Sequence, residues 1–203
     1  MSSQSLIACG VAAGPLFTAT YLLTGAIRAD YKSLRHPVSS LALGSAGWTQ
    51  TVNFLCGGGL SMAFAVGLWR AGVSHWGAVL VGVWAIGLIG AGLFRTDPVR
   101  GYPPGTPDQL DRPSPVGAVH DLVSLVAFLG LTAACLVLAS QGSTAWAVYS
   151  IASGVLFAAT MVLATVAFGH GRRLAGVGGL LQRASISIGW LWLTLLALRT
   201  LPT

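Results

Sequence analysis

Long apolar segments alternate with shorter polar connections along the chain, and this pattern predicts the fold. Six segments of about 22 to 25 residues are almost free of charge: 5–27, 48–70, 74–95, 116–140, 144–168 and 179–200. At a rise of 1.5 Å per residue, each is long enough to cross a hydrocarbon layer of about 30 Å as an α-helix. We therefore predict an all-α membrane protein whose residues 1–203 form a single transmembrane domain, a bundle of six helices.

The connections between these segments are very unequal in length. Two of them, around 71–73 and 141–143, are so short that they predict tight antiparallel hairpins. The other three, 28–47, 96–115 and 169–178, are long and fall on the opposite side of the predicted bundle. The middle one contains six of the nine prolines, which fix φ and make it stiff and non-helical, either as a lid or as a surface strap.

Composition supports a membrane protein and argues against a nucleic-acid-binding protein. Hydrophobic residues make up 54% of the chain and charged residues 8%, whereas soluble domains carry roughly 25% charged residues. The net charge of +6 is spread over the ends of the apolar segments and does not form the clustered basic surface that nucleic acid requires. We expect membrane lipids around the helices and no nucleic-acid partner, and the sequence leaves the oligomeric state open.

The basic residues also predict an orientation. Nine of the eleven Lys and Arg residues lie on the side of the three long connections, and Arg70 and Arg199 lie opposite. Positive residues are retained on the cytoplasmic side of a membrane. A multi-pass protein of the cell membrane is therefore predicted, with cytoplasmic long connections and both termini outside.

Ionisable residues near the helix ends are the first candidates for a functional site. All five Asp residues and three of the four His residues lie on the long-connection side, partly because long loops hold more polar residues of every kind. Asp97, His120, Asp121 and Arg183 lie at or about one turn inside predicted helix ends, where ionisable groups are costly unless paired or hydrated. A structural explanation is ion pairing between helices, for instance of Arg183 with Asp121 or Asp97.

An imidazole beside a carboxyl group can perform general acid–base catalysis. We therefore predict Asp97, His120 and Asp121 as catalytic candidates. Trp84 and Trp190 lie deep in predicted helices, where they either line a substrate cavity or simply fill the bundle.

A metal site is the alternative use of the histidines. Zinc bound by His36, His120, His170 and an Asp is conceivable, but no HxxxH or HExxH spacing supports it. The sequence therefore predicts no metal and no other cofactor.

Four stretches of the chain together resemble the DUF998 family of small membrane proteins. They are HPVSSL at 36–41, GLFRTDP at 92–98, His120 at the start of the fourth segment, and GLLQR at 179–183. The resemblance extends over essentially the whole chain and implies a six-helix membrane domain, while the family name records an unknown function.

The resemblance also picks out candidate residues. Asp121 is not part of the family pattern, so the resemblance favours Asp97 as the acid. Together with the cationic and aromatic candidates, the predicted substrate-binding residues are His36, Ser39, Ser40, Arg95, Gln182, Arg183, Trp84 and Trp190.

These candidates predict an enzyme that acts on a lipid or isoprenoid substrate by acid–base chemistry at the cytoplasmic membrane face. Protonation-initiated prenyl cyclisation, as in small helical cyclases of meroterpenoid pathways, would need no cofactor, because an acid supplies the proton and aromatic faces stabilise the carbocation. The alternatives are a lipid hydrolase or transferase, and a transporter or accessory subunit without catalysis. Transport is less favoured because no repeat and no midplane charge is evident.

The charge distribution gives a testable topology. Cysteines introduced into 98–115 should react with a membrane-impermeant reagent only after the cells are opened, and a reporter fused to the C-terminus should be active outside. Labelling of 98–115 in intact cells would contradict the predicted orientation.

Overall fold

The computed structural model describes residues 2–169 and 174–201, and this part of the chain folds into helices without a β-strand. The six long helices are α1 (Ser3–Ile27), α2 (Trp48–Arg70), α3 (His75–Leu93), α4 (Pro115–Ala139), α5 (Thr144–Phe168) and α6 (Gly178–Thr200). A short 3-10 helix, Val38–Ala42, lies in the first long connection. Each long helix is sufficiently long and apolar to cross a membrane, so the predicted all-α, multi-pass fold is confirmed.

The helix ends fall within two residues of the predicted ones for identifiable reasons. Ser2, Ser74, Ser114 and Ser143 precede α1, α3, α4 and α5, and each hydroxyl accepts a backbone N–H from the first turn. The largest shift toward a shorter helix occurs in α3, which ends at Leu93 rather than at residue 95. The chain is extended from Phe94 onward, where a proline soon follows and cannot continue a helix.

The helices form a closed ring in chain order. Each helix packs against its neighbours in sequence, and α1 also packs against α6. Tyr21, Phe64, Phe157 and Trp192 are at most 2% exposed and fill the interior. Large aliphatic side chains such as Leu23 remain exposed on the outer faces, as expected where a helix meets lipid.

The long connections meet at one end of the ring, which we call the long-connection face. Arg28 in the first connection donates a hydrogen bond of 3.1 Å to the hydroxyl of Tyr102 in the second. Arg35 and Asp108 form an ion pair of 2.7 Å between the same two connections. The first and second connections are therefore joined into one layer that covers this end of the ring.

The proline-rich connection forms a surface strap that hydrogen bonds hold in place. Arg100 (φ 56°) and Gly101 (φ 77°) occupy the central positions of a tight turn between Val99 and Tyr102, a turn type that requires positive φ at both. The guanidinium of Arg100 donates to the carbonyl of Ala167 at 3.1 Å and also to the carbonyl of Gly169. These carbonyls at the end of α5 lack helical partners, and the helix dipole favours a cation there.

Close packing of α3 against α4 depends on Gly87. A Cβ at this position would overlap the Cβ of Ala127 and lie 2.8 Å from the carbonyl oxygen of Val123. We expect Gly87→Ala to destabilise the protein by about 1–3 kcal/mol, the usual range for overpacking. Thermal unfolding in detergent should show the loss, and Gly59→Ala is the matched control because a Cβ there meets nothing within 4 Å. Equal melting temperatures for the two variants would contradict the helix packing described above.

Candidate functional site

A cavity of about 400 Å³ lies inside the ring and extends from the long-connection end toward the middle of the bundle. Its volume is in the range typical of small-molecule sites. The end nearest the connections, which we call the mouth, is lined by polar side chains: Ser39, Thr96, His120, Asp121, Ser124, Thr165 and Gln182. The deep end, which we call the floor, is lined by aromatic side chains: Phe17, Trp84, Phe128 and Trp190.

The length of the cavity follows from helix geometry. Phe128 lies eight residues after His120 on α4, and Trp190 lies eight residues after Gln182 on α6. Eight residues of α-helix correspond to about 12 Å. The polar mouth and the aromatic floor are therefore separated by roughly this distance along the helix axes.

The cavity opens sideways between α4 and α5. Asp121, Leu125 and Thr165 line the cavity and are nevertheless exposed on the outside of the ring. Leu125 alone is 56% exposed. The outer faces of α4 and α5 on either side of this opening carry exposed apolar side chains such as Leu122 and Leu163.

His120 is held by the end of the preceding helix so that one ring nitrogen stays available. The side chain is 4% exposed, and Nδ1 lies 2.8 Å from the carbonyl oxygen of Phe94. A carbonyl only accepts hydrogen bonds, so Nδ1 carries the proton and Nε2 is the basic nitrogen of the neutral ring. In residues 2–169 and 174–201, Nε2 has no hydrogen-bond partner.

The carboxyl group at the mouth is that of Asp121, not that of Asp97. Asp97 does not line the cavity, and its Oδ2 accepts a hydrogen bond of 2.7 Å from the backbone N–H of Ser114. Ser114 precedes the first turn of α4, where the helix dipole stabilises a negative charge. Asp97 thus stabilises the start of α4. The resemblance favoured Asp97 as the acid, but the carboxyl group that lines the cavity is that of Asp121.

Arg183 binds the backbone of the first long connection. Its Nη1 donates to the carbonyl oxygens of His36 at 3.1 Å, of Gly179 at 3.0 Å, and of Ser33. Its Nη2 donates to the hydroxyl of Tyr31. The hydroxyl of Tyr31 in turn donates toward the carbonyl oxygens of the same connection, so the guanidinium is embedded in a backbone hydrogen-bond network.

The ion pair of Arg183 with Asp97 or Asp121, suggested from the sequence, is therefore not formed. Several carbonyl oxygens supply the partial negative charge that a carboxylate would otherwise supply. Arg183 also does not line the cavity, so the structure does not bring its guanidinium together with His120 at one surface.

Gly179, Gln182 and Arg183 together form a contact that we call the α6 clamp. Gln182 Oε1 accepts a hydrogen bond of 2.7 Å from the backbone N–H of Val38. A Cβ at Gly179 would overlap the carbonyl oxygen of Ser33, so glycine permits the close approach of the two chains. The HPVSSL and GLLQR stretches are thus contact partners, and this contact places Ser39 at the mouth.

His36 belongs to a second, polar depression of about 330 Å³ on the long-connection face. Its side chain is 4% exposed and packs between the rings of Tyr31 (5.6 Å) and Tyr102 (5.1 Å). Burial and, to a lesser extent, the charge of Arg35 lower the pKa of His36, so the ring is neutral near pH 7. Burial also raises the pKa of Tyr31, against the opposing effect of Arg183.

Two other predicted residues lie away from the cavity. Ser40 is fully buried and Arg95 is exposed, and neither lines the mouth or the floor. His170, considered above as a zinc ligand with His36 and His120, lies outside the described residues. His36 and His120 themselves line different depressions.

Of the predicted site residues, Ser39, His120, Asp121, Gln182, Trp84 and Trp190 line the cavity. Sequence analysis did not assign Ser124 to the site, although it lies one turn after His120 on the same helix face, which was a usable signal. Phe17 and Phe128 carry no such signal, because an apolar residue inside a transmembrane segment looks the same whether it lines a cavity or fills the bundle.

A family model described as "Protein of unknown function (DUF998)" matches residues 11–199, nearly the whole chain. No curated protein and no solved structure matches the chain. The match confirms the resemblance that the four stretches indicated, and it supports a membrane protein without naming a reaction.

The α6 clamp predicts a specific effect of Arg183→Lys. Lysine keeps the charge but loses the planar arrangement of five donors that reaches several carbonyls at once. We expect the melting temperature in detergent to fall by several degrees, the shift that a loss of about 1–3 kcal/mol produces. Arg112→Lys is the matched control, since Arg112 is exposed. An unchanged melting temperature for Arg183→Lys would contradict the role of the clamp.

Proposed function

The chain belongs to the DUF998 family, and from its cavity we propose that it is a membrane enzyme that acts on a lipid or isoprenoid by acid–base chemistry. The observation that carries this proposal is the combination of three features in one cavity. An opening lies between the apolar outer faces of α4 and α5, an imidazole and a carboxyl group lie at the mouth, and an aromatic floor lies beneath them.

His120 and Asp121 are the proposed catalytic pair. Nε2 of His120 accepts a proton from the polar end of the substrate, while the Nδ1–H bond to Phe94 fixes the ring and its tautomer. Asp121 supplies or accepts the second proton at the same mouth. Gln182 uses Oε1 to hold Val38, so its amide N–H groups are the donors that remain for the substrate.

A substrate with one apolar chain fits the shape and chemistry of the cavity. Its chain would pass between α4 and α5 from the bilayer and extend toward the floor, and its polar end would stay at the mouth.

Prenyl cyclisation is a second candidate, favoured by the aromatic side chains of the cavity. Asp121 as a carboxylic acid would protonate a double bond, ring closure would move the positive charge along the chain, and His120 would remove a proton to regenerate an alkene. The reaction is an isomerisation that needs no further reactant. Aromatic faces such as those of Trp84 and Phe128 would stabilise the intermediate cation.

A lipid carrier or accessory subunit would use the same cavity without reaction, and one experiment separates the possibilities. Wild-type protein, His120→Asn and Asp121→Asn are purified in mild detergent, and the lipids bound to each are compared by mass spectrometry. Asn at position 120 keeps a donor for the carbonyl of Phe94 but removes the basic nitrogen. We expect turnover to fall by about 10²-fold or more, so that unreacted substrate accumulates on the variants.

The masses of the bound lipids decide the outcome. Different masses on wild type and variants indicate hydrolysis or transfer, whereas equal masses with different chromatographic retention indicate cyclisation. The same lipid on all three proteins would contradict an enzyme and favour a carrier. Asp97→Asn is the control for the assignment of the catalytic acid. If Asp97→Asn blocks turnover while Asp121→Asn does not, the assignment of Asp121 is wrong.

A further inference from the structure

A continuous layer of aromatic rings closes the floor of the cavity. The rings come from five helices: Phe17 on α1, Trp84 on α3, Phe128 on α4, Phe157 on α5 and Trp190 on α6. The ring centroid of Trp190 lies 5.2 Å from that of Phe17 and 5.4 Å from that of Trp84. Trp84 lies 5.7 Å from Phe128, which stacks on Phe157 at 4.9 Å. Each ring of the layer therefore contacts the next, from α1 to α5.

Trp190 crosses the interior within this layer. Its side chain starts on α6 and its ring tip lies 3.7 Å from the place that a Cβ on Gly57 of α2 would occupy. Glycine at position 57 thus leaves the space into which the indole extends. Because Trp190 extends from one side of the ring of helices to the other, it is the largest single obstacle at the floor.

The bundle is filled beneath the aromatic layer. Val81, Leu131 and Leu193 lie one turn beyond the floor on α3, α4 and α6, and all three side chains are fully buried. Ala13, one turn beyond the floor on α1, is also fully buried. None of these four residues lines the cavity, so the cavity ends at the rings.

The sideways opening does not lengthen the cavity. Asp121 and Leu125 line the opening, and Phe128 of the floor lies about one turn farther along α4. The rings of Trp84 and Trp190 are each 2% exposed. A chain whose polar end stays at the mouth therefore has a closed end below it.

Two dimensions of the cavity give the same chain length. Carbon–carbon bonds of about 1.5 Å at near-tetrahedral angles advance an extended chain by about 1.25 Å per carbon, so the distance of about 12 Å from mouth to floor takes about ten carbons. The volume of about 400 Å³ holds about 13 groups of the size of a water molecule, at about 30 Å³ each. A methylene group is similar in size, so about ten carbons and a small polar end fill the cavity.

We infer that the aromatic floor determines the chain length of the ligand, with Trp190 as the main specificity-determining residue. The cavity then accepts a straight chain of about ten carbons or an isoprenoid of about two units. An isoprenoid of three units, or the long acyl chain of a membrane phospholipid, has to bend back or lift its polar end off the mouth. This inference rests on the proposed function, in which a single-chain lipid or isoprenoid has its polar end at the mouth.

A series of probes that differ only in length tests the inference. Straight-chain primary alcohols from hexanol to hexadecanol are mixed in equal amounts with the wild-type protein in a detergent that has a steroid group instead of an alkyl chain. Native mass spectrometry then gives the occupancy of each alcohol. We expect a maximum near decanol and roughly tenfold lower occupancy for hexadecanol, the scale on which overpacking a filled interior is penalised.

Two variants should move the maximum in opposite directions. Trp190→Leu removes the ring that crosses the floor, and we expect a maximum about two to four carbons longer, since each vacated space of about 30 Å³ admits one methylene. Leu88→Phe places a ring in the cavity one turn nearer the mouth than Trp84, and should shorten the preferred chain by about two carbons. Trp192→Leu is the matched control, because Trp192 is fully buried against Trp146 and does not line the cavity.

The possible failures are distinguishable. If the wild-type protein binds the alcohols without a maximum near decanol, or if Trp192→Leu moves the maximum as far as Trp190→Leu does, this inference is wrong and the proposed function stands. If Trp190→Leu does not fold, an unchanged maximum in Leu88→Phe overturns the inference equally. If no alcohol binds to the wild-type protein, the cavity does not hold a single-chain lipid, and both proposals fail.

Discussion

The hydrogen bonds from Arg183 to the backbone carbonyls of the first long connection are the interaction on which the site depends. A connection of twenty residues, 28–47, has no regular helix beyond Val38–Ala42, so many of its carbonyls lack partners from secondary structure. One guanidinium bonds to carbonyls of Ser33 and His36 together, and Gln182 adds the N–H of Val38. These bonds fix the segment that carries Ser39 directly to α6, and so place Ser39 at the mouth.

Most of the fold could be predicted from the sequence, because a transmembrane helix is specified by local composition and length. The six segments followed from the length of the apolar runs, and the serine caps and the proline after α3 explain the exact ends that the structure shows. The residues that line the polar mouth could be predicted in part. His120 and Asp121 lie one turn inside a helix, where an ionisable group is costly unless it is paired or hydrated. Their neighbour Ser124 could have been added from helical spacing alone.

The partners of the polar side chains could not be predicted from the sequence. The candidate partners for Arg183 were carboxylates, but its acceptors are carbonyl oxygens, which every residue possesses and which no sequence pattern distinguishes. Asp97 likewise bonds to a backbone N–H at the start of α4. Residues of the family pattern therefore divide into two groups, because Arg183 and Asp97 maintain the architecture while His120 lines the cavity.

The division of the cavity into a polar mouth and an aromatic floor relates the fold to the bilayer. The mouth lies beside the long connections at the ends of the helices, and the floor lies near the middle of the helices. A lipid drawn in between α4 and α5 would keep its polar and apolar parts at the depths they occupy in the membrane. Its transfer into the site would then require little desolvation of the polar end.

The central claim is that a particular lipid leaves the bilayer through the opening between α4 and α5, and site-specific photocrosslinking in native membranes tests it most directly. A photoreactive phenylalanine analogue is placed at Leu125, which lines the opening, or at Leu129, which is 61% exposed one turn farther along α4 and does not line the cavity. We predict that Leu125 crosslinks to one lipid species far above its share of the membrane, while Leu129 crosslinks in proportion to bulk composition. If both positions crosslink to lipids only in proportion to the bulk composition of the membrane, the account is contradicted.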